Sequence, residues 1–447
     1  MSVTLDSLTR TRPRPAEVLA PPTVAPRPAR GRRGMAAGWT GVDLVVVLAV
    51  VAPSAYLPIF ESWVQIPRTM GLLLVLPLGV VALSRLARDG SRAAVAAAAV
   101  VAWAVAGALR SSVFDGPGGV SITGDATVVT LAGAVAVWAA AHFLSPRGRR
   151  AVVPVVVGLC AVNVCVALAQ VLFGAEGAPL PTVDGNATGL TSSTTYLGTL
   201  MAAGVALCVR RGATEDEPVW RWPAGALALG AGLALSGSIV ALGALVVAVA
   251  SIALLHSNLQ TAQAAIAGAI GVLAGTMVLQ FTGADARPGP DALDPLTSSG
   301  SWDAIVDAVA QRPLLGWGLG NERSAIVAQV GDGAVPTSSD QLDVVVGAVI
   351  ALGVPGAVLL AAFVWLAAVE NRSSTLVGAG TVALTWFFER AAIVTVPLAA
   401  LLLGTADPEP GAATPRLDLG RTGWAVVLAA GVGPALWLGS TGLATGG

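Results

Sequence analysis

Along most of the chain, apolar residues come in long unbroken runs rather than in alternation or narrow stripes. Many approach the roughly 17 to 25 residues that an α-helix needs to cross a bilayer. Such runs fall near residues 41–60, 69–87, 92–109, 126–144, 151–173 and 190–209. A less uniform set follows near 222–236, 238–255, 264–282, 342–368, 375–388 and 391–404, with a last one near 422–440. The pattern predicts an all-α polytopic membrane protein with about 12–13 transmembrane helices.

One gap is out of scale with the others. Residues 283–341 separate two strong runs, and all other connections are short. The first part of this loop, with Pro288, Pro290 and Pro295, reads as flexible. Beyond it, Trp302, Ile305, Val306 and Val309 recur at helical spacing behind Ser301 as N-cap, and Pro313 ends the run. A second short helix is expected to start at Asn321 and to carry Ile326, Val327 and Val330. Both are expected to be amphipathic helices lying on the membrane surface or on the tops of the spans. The predicted organisation is therefore a tail over 1–38, helices one to nine over 39–282, the long loop over 283–341, helices ten to thirteen over 342–440, and a short C-terminal tail over 441–447.

Composition sharpens the class. Charged residues make up 11% of the chain and hydrophobic ones 55%, against about 25% charged in soluble domains, which excludes a soluble globular protein. The formal net charge of −1 hides two different sides, and with no Lys in the sequence every basic residue is Arg. Net charge gives no reason to expect nucleic acid as a partner. Residues 1–38 hold Arg10, Arg12, Arg14, Arg27, Arg30, Arg32 and Arg33 among six prolines. That composition is expected to be disordered, and it is too long and too poor in apolar residues for a cleaved signal peptide.

Basic residues concentrate in short cytoplasmic loops, so the Arg distribution predicts orientation. With the tail inside, Arg85, Arg88, Arg92, Arg147, Arg149, Arg150, Arg210, Arg211, Arg221, Arg372, Arg416 and Arg421 fall on the tail's side. Arg68, Arg110, Arg287, Arg312, Arg323 and Arg390 fall on the other. The expectation is a multi-pass plasma (inner) membrane protein with a cytoplasmic N-terminus and an extracytoplasmic long loop. The Arg-rich tail would lie beside the inner leaflet, where it suits anionic membrane lipids.

Cys160, Cys165 and Cys208 lie in apolar runs with no His or carboxylate at ligand spacing, and read as packing residues with no metal site. Asn163 and Gln170 are the few polar residues inside a predicted span and suit hydrogen bonds between helices. Asn186-Ala187-Thr188 matches a glycosylation acceptor and is read as coincidence. The Gly316–Gly320 run GWGLG has no preceding strand, which excludes a nucleotide loop; its glycines suit a loop folded closely over the membrane surface.

Four segments carry a resemblance. Trp302 is followed by RPLLGWGLGN (Arg312–Asn321), and the chain re-enters the apolar run with ALGVPG (Ala351–Gly356). Upstream stand GNATGLTSSTTYLGTLMA (Gly185–Ala202) and LALSGSIVALGAL (Leu233–Leu245). In order and spacing these resemble the O-antigen ligase and Wzy-type polymerase superfamily of bacterial envelope glycan enzymes, over roughly residues 150–405. The resemblance implies transfer or polymerisation of a polyprenyl-diphosphate-linked glycan on the outer face, in cell-envelope polysaccharide biosynthesis, without nucleotide or metal cofactor.

The chain departs from that family at three places. Ile239 stands where the tight turn usually has Arg, Ser298 where another Arg is common, and Leu342-Asp343 where the ligases carry His-Asn. Both histidines, His142 and His256, fall on the cytoplasmic side in the predicted topology, so a His-dependent mechanism is not carried over. The candidate bases are Asp340 and Asp343, with boundary charges at a helix N-terminus as their alternative reading. Arg312, Arg323 and Arg390 are the candidates for the diphosphate, since planar guanidinium suits it. Arg390 beside Glu389 could equally be an ion pair at an outer turn, and Arg312 a helix C-terminal charge. Trp317 and Trp302 read as interfacial aromatics or as sugar-stacking platforms. Two rival functions stand beside the transferase: a catalytically silent relative that binds lipid-linked glycan or scaffolds envelope assembly, and an exporter or flippase. The latter calls for charged residues along a route through the bilayer, and the spans are nearly bare of them.

Overall fold

The computed structural model describes residues 39–54, 65–114, 126–173, 186–191, 193–212, 220–255, 259–282, 301–319, 321, 325–326, 329, 344–371, 373–387, 394–407, 417, 419–420, 422–426 and 429–430. Among these the secondary structure is helical. The helices are α1 (Gly41–Val51), α2 (Gln65–Arg88), α3 (Arg92–Phe114), α4 (Ala126–Ala141), α5 (Pro146–Phe173), α6 (Thr194–Arg211) and α7 (Arg221–Ser236). They continue with α8 (Ile239–Leu255), α9 (Leu259–Thr282), α10 (Ser301–Gln311), α11 (Val344–Glu370), α12 (Leu376–Thr385) and α13 (Thr395–Gly404). Described residues between 420 and 430 are helical as well.

Four helical stretches are long and apolar enough to cross a membrane: Gly71–Arg88 in α2, then α5, α9 and α11. Shorter apolar helices of 10–17 residues pack among them, α1, α8, α12 and α13 included. The outer faces are greasy: Leu259, Ile266, Ile270, Leu273, Met277 and Phe281 form an exposed stripe along α9. In water such a stripe would be costly, whereas against lipid it needs no cover. Cys160 and Cys208 are buried as expected, but Cys165 is exposed on the outward side of α5.

Polar side chains tie the helix ends together and thereby define two ends of the bundle. At one end Asp43, fully buried, closes the capping box of α1 by accepting from the Thr40 amide (2.7 Å) and also accepts from the amide (2.9 Å) and hydroxyl (2.7 Å) of Ser145 before α5. Glu370, closing α11, accepts from the Ser91 hydroxyl (2.7 Å) and from the first amides of α3, Arg92 (2.9 Å) and Ala93 (3.1 Å). It thus caps a helix nearly 280 positions away in sequence, placing a negative charge on the positive end of the α3 dipole. Asp407, past α13, accepts from the amide and hydroxyl of Ser374 ahead of α12. Arg85, Arg88, Arg92, Arg147, Arg149, Arg150, Arg210, Arg211 and Arg221 belong to helix ends on this side. We call it the arginine-rich end.

Close backbone approach holds the interior together. A Cβ added at Gly230 of α7 would strike the Gly268 carbonyl of α9, and one at Gly271 or Gly275 would strike the carbonyls of Leu227 or Ala231. Without a strong hydrophobic drive between helices in lipid, small residues that let backbones touch supply the contact.

Candidate functional site

At the end opposite the arginine-rich one, α11 is broken. Gly353 has φ 69° and ψ 172°, a conformation open in practice only to glycine, and Pro355 has no amide to donate. The break removes the intrahelical partners of the preceding carbonyls, and at membrane depth each needs a replacement. All three have one. The amides of Trp317 and Gly318 donate to the carbonyls of Ile350 and Ala351, both at 2.9 Å, and the indole N–H of Trp103 in α3 donates to Leu352 at 2.9 Å. The Val354 amide donates to Pro313 at 3.0 Å. A short ladder therefore runs between Pro313–Gly318 and Ile350–Val354.

Glycines make that ladder sterically accessible. Gly316 (φ 65°) lies so close that a Cβ would stand 2.5 Å from the Ala351 carbonyl carbon and the Gly353 nitrogen. A Cβ on Gly353 would stand 2.7 Å from the Leu314 carbonyl carbon and 2.8 Å from the Gly316 nitrogen. The loop that was expected to fold over the membrane surface thus docks into the fracture of a helix. Trp103, which sequence reasoning passed over, completes the site; a lone Trp in an apolar run gives no signal of such a role.

Helix α10 lies beside this junction. Ile305 and Ala308 are buried in one cluster with Ile350, with Val346 of α11 packed against it, and Ala304 is buried as well. Val306, expected on the same face, is 60% exposed, because it lies about 100° round the helix from Ile305. The indole N–H of Trp317 donates to the Ala308 carbonyl at 2.8 Å, and Asn321 donates through its side chain to the Trp317 carbonyl at 2.8 Å. With the indole thus fixed, the Arg312 guanidinium lies over its ring, 4.1 Å from the centroid. Gln311 reaches Gln329 at 2.7 Å, tying α10 to the second helical segment, of which Ala325, Ile326 and Gln329 are described.

A second junction joins the other two resembling segments. Gln170, near the end of α5, accepts from the amides of Thr188 (3.0 Å) and Gly189 (2.8 Å) and donates to the Thr188 hydroxyl (3.1 Å). Asn163, one side of the same helix, accepts from the Leu190 amide at 2.8 Å. The Ala187 amide donates to Leu235 at 3.1 Å, so residues 186–191 lie on the α7–α8 turn, where Gly237 adopts φ 66°. The two polar residues expected to bond between helices instead bond the backbone leading into α6. That turn, with Gly189 at φ 57°, also explains why α6 starts at Thr194 and not near 190. Asn186 and Thr188 are buried, which agrees with reading the glycosylation match as coincidence.

Of the residues singled out from sequence, Arg312 and Trp317 are brought together. Asp340, Asp343, Arg323, Glu389 and Arg390 lie outside the described residues. Among the described residues no group of three or more His, Cys, Asp or Glu is placed to hold a metal ion. No family model matches the chain, and no curated protein matches it.

Proposed function

We propose that this membrane protein transfers or polymerises a polyprenyl-diphosphate-linked glycan at the end of the bundle opposite its arginine-rich end, read as the outer face of the plasma membrane. The observation that carries the reading is the closure of RPLLGWGLGN on ALGVPG at the break in α11, with Arg312 held over Trp317. These are the segments that carry the resemblance, and they form one built structure. A guanidinium lying over an indole is held in a fixed place, and its planar charge suits a diphosphate. In the proposed step an acceptor hydroxyl forms a bond to the anomeric carbon of the donor sugar, and the carbon–oxygen bond to diphosphate breaks. The electron pair leaves on the polyprenyl diphosphate, neutralised by Arg312 with Arg323 and Arg390. The hydroxyl proton passes to Asp340 or Asp343.

A binding or scaffolding role without catalysis is the second reading, and Ile239 favours it. This side chain, 40% exposed, begins α8 at the position where the resembling family usually has Arg. An exporter is less well supported, because Asn163 and Gln170 use their side chains on residues 188–190 rather than on a polar route.

The experiment is deletion of the gene in its host, with carrier-linked and surface polysaccharides compared, and complementation by wild type, Asp340→Ala, Asp343→Ala, Arg390→Ala and Arg312→Gln. Glycan retained on the carrier and released by wild type, but not by at least one variant, is the expected result. An unchanged glycan profile, or full rescue by every variant, overturns the transferase and leaves the binding role.

A further inference from the structure

Helix α3 starts at the arginine-rich end, where Glu370 caps it, and runs toward the break in α11, so its last turns lie at the opposite end. On this stretch Trp103, Gly107 and Arg110 follow one another at helical spacings of four and three. We propose that Arg110 is a second binding residue of the candidate site and that, with Arg312, it makes the site select a prenyl diphosphate over a prenyl monophosphate, a role that rests on the diphosphate reading of this junction.

Three observations carry the proposal. First, contacts fix which side of α3 meets the junction. The indole N–H of Trp103 donates to the Leu352 carbonyl at 2.9 Å, and a Cβ added at Gly107 would stand 3.2 Å from the Leu315 carbonyl oxygen. Arg110 sits about 20° round the helix from Trp103, about 60° from Gly107 and about 4.5 Å further out than Gly107. Second, Arg312 belongs to the stretch that α3 touches here. Its carbonyl accepts from the Gly316 amide at 3.1 Å, closing one turn over 312–316, and its guanidinium lies over Trp317. Two arginines therefore border one junction, one from α3 and one from the docked loop. Third, Arg110 is exposed, and no carboxylate among the described residues is paired with it. Arg149, by contrast, is buried and spends its donors on the carbonyls of Leu144 and His142. The second phosphoryl group of a diphosphate gives a second guanidinium a partner that a monophosphate lacks. Snorkelling accounts for an arginine anywhere near a span's end; it does not account for one on the side of α3 that holds the junction.

The test uses the full chain in phosphatidylcholine nanodiscs and reads equilibrium retention of radiolabelled farnesyl diphosphate and farnesyl monophosphate, with protein-free discs as the blank. Wild type should hold the diphosphate about tenfold more tightly than the monophosphate, the worth of one charge-assisted contact. Arg110→Gln should abolish that preference, weakening diphosphate retention about tenfold and leaving the monophosphate within about twofold. The preserved monophosphate binding separates a lost contact from a misfolded chain. Arg110→Lys, which keeps the charge and not the planar fork, should recover part of the preference. Arg312→Gln should weaken both ligands, and Arg150→Gln, an exposed arginine at the other end, should change neither. Diphosphate retention unchanged in Arg110→Gln, or an equal loss of both ligands, overturns the role of Arg110 and leaves the transferase reading standing. Wild-type retention no better than that of empty discs, or unmoved by Arg312→Gln, removes the diphosphate site itself and overturns both.

Discussion

Gly353→Ala isolates the break in α11. An alanine at φ 69° and ψ 172° carries about 1–3 kcal/mol of backbone strain. Its Cβ would also meet the Leu314 carbonyl group and the Gly316 nitrogen. Relief requires parting Pro313–Gly318 from the fracture and losing the bonds from Trp317, Gly318 and Val354, each worth about 1 kcal/mol net. The strain raises the closed state alone, so it lowers the cost of opening the junction by about 1–3 kcal/mol, capped near the roughly 3 kcal/mol that the three bonds hold. Hydrogen exchange by mass spectrometry in nanodiscs reads this directly: peptides covering 314–319 and 350–356 should exchange about ten- to a hundredfold faster. Gly380→Ala is the control, since a Cβ there meets nothing within 4 Å. Unchanged protection of the Trp317, Gly318 and Val354 amides in Gly353→Ala, or the same acceleration in Gly380→Ala, would refute the argument that the ladder depends on this glycine.

Further expectations follow from the packing and the caps. Gly271→Ala, whose Cβ would strike the Leu227 backbone, should sharply lower the yield of folded protein in detergent, whereas Gly158→Ala, facing open space, should be neutral or stabilising by about 0.5–1 kcal/mol. Glu370→Ala removes the cap of α3 and should lower the thermal midpoint by the equivalent of about 1 kcal/mol, with Glu370→Gln losing less. His142, between α4 and α5, has its pKa pushed below 6.5, chiefly by burial and further by Arg149; the Trp138 carbonyl and Glu370 act the other way. Because the unfolded chain then takes up its proton first, stability from His142 is present above about 6.5 and is lost as pH falls below that value. The midpoint should therefore fall between pH 7.5 and pH 5 more steeply in wild type than in His142→Gln. Expressed in a glycosylating membrane, the chain should show no mobility difference from Asn186→Gln, since Asn186 and Thr188 are buried.

Long spans were readable because their signal is local: α2, α5, α9 and α11 are apolar over enough residues that no partner need be known. What was not readable depended on distant partners. The apolar run over 342–368 gave no hint of a fracture beyond Gly353 and Pro355, and the groups that satisfy it sit at Trp317, Gly318 and Trp103. Asn163 and Gln170 stood out as polar, yet their partners are backbone amides at 188–190, which carry no side-chain pattern. Arg312 and Trp317 were found through resemblance; that one lies over the other follows from the turn at Gly316 and the bond from Trp317 to Ala308, neither of which spacing encodes.

The fracture of α11 also bears on how the chain is made. Its three stranded carbonyls would each cost several kcal/mol against bare lipid. Every donor that answers them, Trp103, Trp317 and Gly318, precedes Ile350–Leu352 in the sequence and so leaves the ribosome first. When α11 emerges, its receptor is already synthesised, and settling this helix in the bilayer becomes a docking event rather than a simple partition between water and oil. A chain in which α11 was made before residues 301–319 would reverse that order of birth.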